Sequence, residues 1–300
     1  MRLSKSLPVV TRVLLLLAAL GFAVAAPAQD AAALRSRHEA LQARLADNAF
    51  RRPLVLESAQ DGGRLRGEIH AVLAHPFDAV AHALQDTAHW CDILILHLNV
   101  KYCRPRGAGA DSRLDVVLGR KFDQPLEEAY PLAFAWRLAA DSADYQAVQL
   151  LAEAGPLGTR DYRIEIEATP LDAQTTFLHL SYAYRYGLTA RLALQGYLAT
   201  LARDKVGFTV VGRDDEGAPV YIGGVRGVVE RNAMRYFLAI ESYLDAAALP
   251  AAQQAERRLG AWIDAVERYP RQLHELTRED YLAMKHKELE RQQSVLLRAN

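Results

Sequence analysis

The chain has 300 residues, of which 51% are hydrophobic and 24% are charged. This composition indicates a folded globular protein and excludes a disordered, collagen-like or multi-span membrane chain. The 36 basic residues balance the 36 acidic ones. The first 28 residues hold three of the basic side chains and no acidic one, so the rest of the chain is weakly acidic. Such a chain has no general attraction for phosphate backbones, and nucleic acid is therefore not an expected partner.

Residues 1–28 have the pattern of a secretory signal peptide. Arg2, Lys5 and Arg12 precede an apolar run of fourteen residues at 13–26. That run is shorter than the roughly 20 residues needed for a stable membrane span. Small residues suited to signal peptidase predict cleavage near residue 25 or 28. If the organism is a Gram-negative bacterium, the mature chain is expected in the oxidising periplasm. An uncleaved membrane anchor is the alternative.

The first part of the mature chain is predicted to contain a helix, a strand and two short helices. A helix is expected over about 31–48, and apolar and polar residues then alternate over 65–73, as in a half-buried strand. Pro76 suits the first turn of a helix, and Thr87 is the expected N-cap of a second helix. Six further strand-like runs follow, with these central positions: Leu98–Tyr102, Leu114–Leu118, Phe134–Leu138, Tyr145–Glu153, Tyr162–Ala168 and Leu178–Tyr186.

The last third of the chain is mainly helical. A helix is expected at 189–202, followed by a hairpin that pairs 208–211 with 219–222. A long helix then covers 224–247, and the chain is helical and rich in charge after Pro250. Spacing of 100° per residue places an apolar arc along the long helix. Its members are Val225, Val228, Val229, Tyr236, Ile240, Tyr243 and Leu244.

This order of elements resembles the START-like, or SRPBCC, helix-grip superfamily over about residues 64–247. The residues that carry the resemblance are the strand, Pro-Phe and helix of Gly67–Val80, followed by a short helix with tryptophan at Asp86–Cys91. The sequence also resembles uncharacterised exported proteobacterial proteins with this domain. The resemblance implies an α+β helix-grip fold, in which a curved antiparallel sheet of about seven strands wraps around the long C-terminal helix.

Four segments, one of which contains an insertion, follow from these observations. Residues 1–28 form the signal peptide, 29–63 an N-terminal helix and leading strand, and 64–247 the START-like domain. The helix and hairpin of 189–222 are an insertion that departs from the family pattern, and 248–300 form a C-terminal helical extension.

The resemblance also implies a space between sheet and helix, which in such domains often holds a sterol, lipid, polyketide or other apolar molecule. The expected ligand-binding residues are Val229, Asn232, Tyr236, Ile240, Tyr243, Tyr182 and Tyr184. A buried amide needs a partner, so Asn232 either orients a ligand or bonds to the sheet. The two sheet tyrosines either line a pocket or fill the rim of the sheet.

Cys91 and Cys103 are twelve positions apart, and an oxidising compartment favours a disulfide between them. Two reduced core thiols are the alternative. The histidines at 70, 75, 82, 89 and 97 lack an accompanying zinc motif, so they are expected on a solvated surface. No metal and no cofactor are expected.

The sequence contains no nucleophile-elbow or phosphate-loop motif. Its best polar cluster for chemistry is Glu230, Arg231, Asn232 and Arg235, and Glu230 and Arg235 are expected to form or join surface ion pairs. The leading hypothesis is a periplasmic protein that binds or carries an apolar small molecule or lipid, with transient membrane contact and no assigned protein partner. The alternatives are an enzyme of the same fold, such as a cyclase, dehydratase or hydrolase, and an interaction module with a filled core.

Export gives a first testable prediction. Expression in a Gram-negative host should yield a mature protein that begins near Ala26 or Gln29, because the apolar run is too short to remain as an anchor. N-terminal sequencing of the purified protein measures this directly. A membrane-bound form that begins at Met1 would contradict it.

Overall fold

The computed structural model describes residues 30–187 and 205–299. The predicted leader and the whole of the helix predicted at 189–202 lie outside these residues. Within the described part of the chain, no helix is both long enough and apolar enough to cross a membrane.

An eight-stranded antiparallel sheet forms the centre of the molecule, with the strand order β1-β2-β8-β7-β6-β5-β4-β3. Its strands are β1 (Leu54–Asp61), β2 (Arg64–Leu73), β3 (Val100–Arg106), β4 (Arg113–Leu118), β5 (Tyr130–Ser142), β6 (Tyr145–Ala154), β7 (Thr159–Pro170) and β8 (Thr176–Tyr186). A separate hairpin pairs β9 (Val210–Arg213) with β10 (Pro219–Tyr221).

Seven helices accompany the strands in the described residues. They are α1 (Ala31–Ala46), α2 (Phe77–Leu84), α3 (Thr87–Leu94), α4 (Gly224–Ala246), α5 (Ala251–Val266), α6 (Pro270–Leu273) and α7 (Arg278–Ala299). Pro76 precedes α2 as predicted, whereas the N-cap of α3 is Asp86 rather than Thr87, since its carboxylate accepts a hydrogen bond from the Ala88 amide at 2.7 Å.

The long helix α4 lies against the sheet and packs mainly on β2, with β1 and β8 on either side. The predicted α+β helix-grip fold is confirmed, with eight strands where about seven were expected. Gly67 of β2 allows the helix to come close, because a Cβ atom at this position would lie 3.1 Å from the carbonyl oxygen of Val229 and from the Cβ of Ala233.

The face of the sheet opposite α4 is covered by the N-terminal helix α1. Its apolar side buries Leu34, Leu41 and Leu45 against the sheet residues Val55 and Phe177. These residues form a second, smaller core, separate from the one around α4. Helix α1 therefore closes a sheet face that would otherwise be exposed.

A buried ionic cluster lies beside this second core. His179 contacts Glu167 at 2.8 Å and Glu68 at 3.4 Å, and Tyr145 donates a hydrogen bond to Glu167 at 2.6 Å. Burial acts to lower the pKa of His179, but the hydrogen bonds that its ring donates to the two carboxylates outweigh burial and raise this pKa to about 9. The same contacts keep the pKa values of Glu68 and Glu167 below normal. The imidazole is therefore protonated at neutral pH.

The C-terminal helices pack on α4 and on the β3 edge of the sheet. Trp262 of α5 stacks on Tyr281 of α7 with ring centroids 4.9 Å apart. Lys285 and Glu288 of α7 are fully buried together with Lys101 of β3, and the carboxylate contacts the two ammonium groups at 2.7 and 2.9 Å. These helices are therefore part of the core rather than a solvated appendage.

Cys91 of α3 and Cys103 of β3 form a disulfide, with their Cα atoms 5.2 Å apart. The bond joins the two ends of the segment that leads from α3 into the sheet. Closing a loop of this length stabilises a folded protein by about 3 kcal/mol in the chain-entropy account.

We predict that the intact mass of alkylated protein rises only when reduction precedes alkylation. Reduction should also lower the free energy of unfolding by up to about 3 kcal/mol, because the unfolded chain regains its freedom. Mass spectrometry and denaturant titration measure the two effects. Alkylation of both cysteines in the folded, non-reduced protein would contradict the prediction.

The His179 cluster predicts a pH dependence of stability. The folded pKa of about 9 lies above the ordinary value of 6.5, so the stabilisation is complete below about pH 6.5 and is lost as the pH rises through 9. Between pH 6.5 and pH 9, the free energy of unfolding of wild type should fall by up to about 3 kcal/mol more than that of the His179→Gln variant. Urea titrations from pH 6 to 10 measure this difference.

The matched control for that series is His286→Gln, which removes an exposed imidazole paired with Glu256. Its pH profile should follow wild type, because an exposed ion pair contributes little. Lys285, whose pKa burial lowers to about 8, titrates equally in all three proteins and cancels in the comparison. Parallel wild-type and His179→Gln profiles would show that the cluster does not stabilise the fold.

Candidate ligand-binding cavity

A cavity of about 440 Å³ lies between α4 and the strands β4, β5, β7 and β8. Its volume is in the range of cavities that hold small organic ligands. The residues that line it are His97, Asn99, Leu118, Gly119, Arg120, Gln124, Glu128, Tyr130, Leu132, Phe134, Pro156, Leu157, Thr159, Tyr162, Tyr182, Tyr184, Tyr186, Asn232 and Tyr236.

Alternate residues of the strands supply much of the cavity wall. Side chains at every second position of a strand share a face, and this places alternate residues of β5 and β8 on the side of α4. In β7 the pattern shifts at a bulge between Arg160 and Arg163, where Asp161 has a φ of +54°. The bulge lets both Thr159 and Tyr162 face the cavity, which an uninterrupted strand would not allow.

A series of aromatic rings runs across the buried part of the cavity. Phe134 meets Tyr162 edge-on at 6.4 Å, Tyr162 lies 6.5 Å from Tyr182, and Tyr182 lies 5.3 Å from Tyr236. Tyr236 in turn stacks on His97 at 4.8 Å. These rings present flat, polarisable surfaces with a few hydroxyl groups, which suits a ligand that contains rings or double bonds.

Asn232 forms the polar part of the wall contributed by α4. It is half-buried and close enough to the hydroxyl of Tyr182 to act against the rise of its pKa. Asn232 therefore lines the cavity beside a tyrosine of the sheet.

The hydroxyls of four buried cavity tyrosines stay protonated. Burial raises the pKa of Tyr182 well above its ordinary value of 10, and it raises the pKa values of Tyr184, Tyr236 and Tyr162 as well. These groups therefore act as hydrogen-bond donors and acceptors and not as phenolate bases.

Exposed side chains surround the opening of the cavity. Leu157 is 54% exposed and has a φ of +56°, an unusual backbone conformation for a bulky apolar residue. Tyr130, 47% exposed, and the charged residues Arg120 and Glu128 also belong to this rim. The opening thus combines apolar surface with charges of both signs.

Four of the seven residues expected to bind a ligand line the cavity: Asn232, Tyr236, Tyr182 and Tyr184. Val229, Ile240 and Tyr243 lie elsewhere, although they share the same arc of α4. Val229 packs against β2 beside Gly67. Tyr243 lies about 10 Å along the helix from Tyr236 at 1.5 Å per residue, and there it contacts His89 and Arg258. The cavity occupies only the middle of the arc.

Several lining residues were not singled out from the sequence. Tyr162 stood on the correct strand face, so its periodicity could have indicated it. His97, Asn99 and the segment 119–128 carry no periodic signal, because they lie between regular elements. Their position depends on contacts such as the Asn99 side chain, which donates a hydrogen bond to the carbonyl of Gly119 at 2.6 Å.

The expectation that Glu230 and Arg235 form surface ion pairs is wrong. Both are buried, because the segment 206–209 and the C-terminal helices pack against α4. Glu230 accepts hydrogen bonds from the amides of Phe208 and Thr209 at 2.6 and 3.0 Å, and Arg235 bonds to Glu275 at 3.0 Å. Glu230 and Arg235 therefore fasten distant segments of the chain to α4 and do not line the cavity.

The solvated surface expected for the five histidines is also wrong for two of them. His70 and His97 are each only 3% exposed. Helix α1 covers the first on one face of the sheet, and the cavity wall contains the second.

Comparisons with known proteins give the following similarities. No protein-family model matches the chain, and no curated protein matches it significantly. A conserved protein from Geobacillus kaustophilus is 13% identical with a TM-score of 0.35, covering 61% of this chain and 96% of that chain. The Zhui aromatase/cyclase from Streptomyces sp. R1128 is 15% identical with a TM-score of 0.32, covering 69% and 95%. Norcoclaurine synthase from Thalictrum flavum is 17% identical with a TM-score of 0.33, covering 48% and 87%. Similarities this low assign neither a family nor an activity to this chain.

Proposed function

We propose that this protein binds an apolar small molecule, rich in rings or double bonds, in the cavity between α4 and the sheet, and carries it outside the cytoplasm. The observation that carries the proposal is the cavity of about 440 Å³ with its connected aromatic rings. Each Å² of apolar ligand surface removed from water would contribute about 25 cal/mol. Lipids with slender acyl or isoprenoid chains belong to the same chemical class.

An open cavity supports ligand binding over a filled core. Core side chains normally pack to high density, and an empty space of this size costs stability. Replacement of Leu118, half-buried on the cavity wall, tests whether the space is available to a ligand.

The protonation of the cavity phenols and the exposure of the rim charges favour ligand binding over acid–base catalysis. The four buried cavity phenols, Tyr162, Tyr182, Tyr184 and Tyr236, have raised pKa values, so they are protonated and do not act as general bases at neutral pH. Arg120 and Glu128 lie on the exposed rim, where water screens them.

A location in the periplasm is part of the proposal. The signal-peptide pattern of residues 1–28 supports it. The disulfide between Cys91 and Cys103 fits an oxidising compartment as well. An apolar ligand is poorly soluble in the aqueous periplasm, so a carrier protein would be needed to move it. Such a carrier would contact membranes transiently when it takes up or releases the ligand.

The cavity can be tested with the neutral fluorescent probe N-phenyl-1-naphthylamine. Wild type should bind it, and Leu118→Trp should weaken binding about tenfold or more, because the indole takes up space and removes about 60 Å² of apolar contact. Fluorescence titration measures the affinity. Native mass spectrometry of wild type purified from its host should in addition reveal a bound small molecule.

The matched control is Leu138→Trp, the same exchange at a half-buried position of β5 outside the cavity. This variant should bind the probe like wild type. Equal weakening in both variants would indicate a general loss of structure, and a wild type that binds no probe would contradict the proposed function.

A further inference from the structure

His97 is a buried imidazole with one nitrogen in use and one unoccupied. The residue is 3% exposed and belongs to the cavity wall. Its Nδ1 accepts a hydrogen bond from the Asn99 amide at 3.1 Å, whereas its Nε2 has no hydrogen-bond partner among the described residues. A buried polar atom without a partner is costly, so it marks a place where a ligand can bond.

The contact with Asn99 determines which nitrogen carries the proton. A backbone amide can only donate, so Nδ1 must be the acceptor and the proton of the neutral ring resides on Nε2. Burial and the nearby cations Arg235, Lys285, Lys121 and Lys101 lower the pKa of His97 well below 6.5. The ring is therefore neutral and offers one N–H donor.

Among the residues that the structure describes, cations outnumber carboxylates near the imidazole. Glu288 is shared between Lys101 and Lys285, at 2.9 and 2.7 Å. Glu275 is shared between Lys121 and Arg235, at 2.5 and 3.0 Å, and Lys205 lies 3.8 Å from it. Within this described part of the chain, the arrangement favours the negative end of a ligand dipole and disfavours a cation.

We propose that His97 is the polar anchor of the cavity, and that the ligand is an aromatic or polyunsaturated molecule with an oxygen acceptor, a carbonyl or carboxylate, which accepts the Nε2 proton in a hydrogen bond. This inference rests on the proposed function, because it assigns the ligand class of the same cavity. Tyr236, stacked on the imidazole, keeps the ring in place.

Two probes of the same shape test the anchor. 2-Acetylnaphthalene has a carbonyl oxygen where 2-ethylnaphthalene has only carbon. Each competes with N-phenyl-1-naphthylamine, and wild type should bind the ketone about five- to tenfold more tightly, the effect of one additional buried hydrogen bond. The anion 2-naphthoate distinguishes a carboxylate acceptor from a carbonyl, and protonated 2-(aminomethyl)naphthalene should bind weakest.

The variant His97→Phe should bind both naphthalenes equally, with the affinity of wild type for 2-ethylnaphthalene. The ring stacked on Tyr236 is retained in this variant, whereas the Nε2 donor and the Nδ1 acceptor of the Asn99 amide are both lost. His89→Phe makes the same exchange beside Tyr243, outside the cavity, and should keep the preference for the ketone.

A second measurement does not depend on a variant. In a ¹⁵N-histidine spectrum of wild type, His97 should show an unprotonated Nδ1 and a protonated Nε2, and 2-acetylnaphthalene should shift the Nε2 signal much more than 2-ethylnaphthalene does. A proton on Nδ1, or equal binding of the two naphthalenes by wild type, would overturn the role of His97 and leave the proposed function intact. Failure of every naphthalene to bind would overturn both.

Discussion

The contact between α4 and β2 at Gly67 determines where this molecule can hold a cavity. Because Gly67 has no side chain, the helix lies so close that a Cβ atom at this position would be 3.1 Å from the carbonyl oxygen of Val229. A straight helix that lies so close to one side of a curved sheet cannot also touch the other side. The space along β4, β5 and β7 is therefore a consequence of tight packing at β2, and aromatic side chains fill it only in part.

The C-terminal helices hold the remaining wall of this space. Lys285 of α7 donates hydrogen bonds to the carbonyls of His97 and Val100 at 2.8 and 3.0 Å. Arg291 of the same helix bonds to the carbonyl of Gln124 at 2.9 Å, and Gln124 belongs to the cavity wall. Ammonium groups buried at these positions require a partner, and Glu288 provides it. Helix α7 thus supports the cavity from outside without lining it.

Much of the fold could be predicted from sequence because it depends on local periodicity. The alternation of Tyr182, Tyr184 and neighbours gave the correct face of β8, and the 100° spacing gave the correct arc of α4. The extent of the cavity along that arc could not be predicted, since it depends on where other elements touch the helix. Val229 and Tyr243 satisfy the same periodicity as Tyr236, yet β2 and α3 occupy the space in front of them.

Buried charge was the least predictable feature for a similar reason. Glu230 and Arg235 have the sequence pattern of exposed helix residues, and only the return of 206–209 and of α5 to α7 around α4 buries them. Burial of such groups requires that every one finds a partner distant in sequence. Pattern analysis of a single helix contains no information about those partners.

The disulfide, the buried ammonium and the free imidazole nitrogen are related by their position in the chain. His97 lies in the short connection between Cys91 and Cys103, so the disulfide closes the loop that carries it. The side chain of Lys285 and the amide of Asn99 restrain the same loop from two directions. A hydrogen-bond donor such as Nε2 of His97 would ordinarily be poorly positioned on a loop between secondary-structure elements. Here the disulfide and the buried Lys285–Glu288 ion pair restrain the loop. Any environment that keeps the disulfide oxidised would therefore also favour an ordered cavity wall.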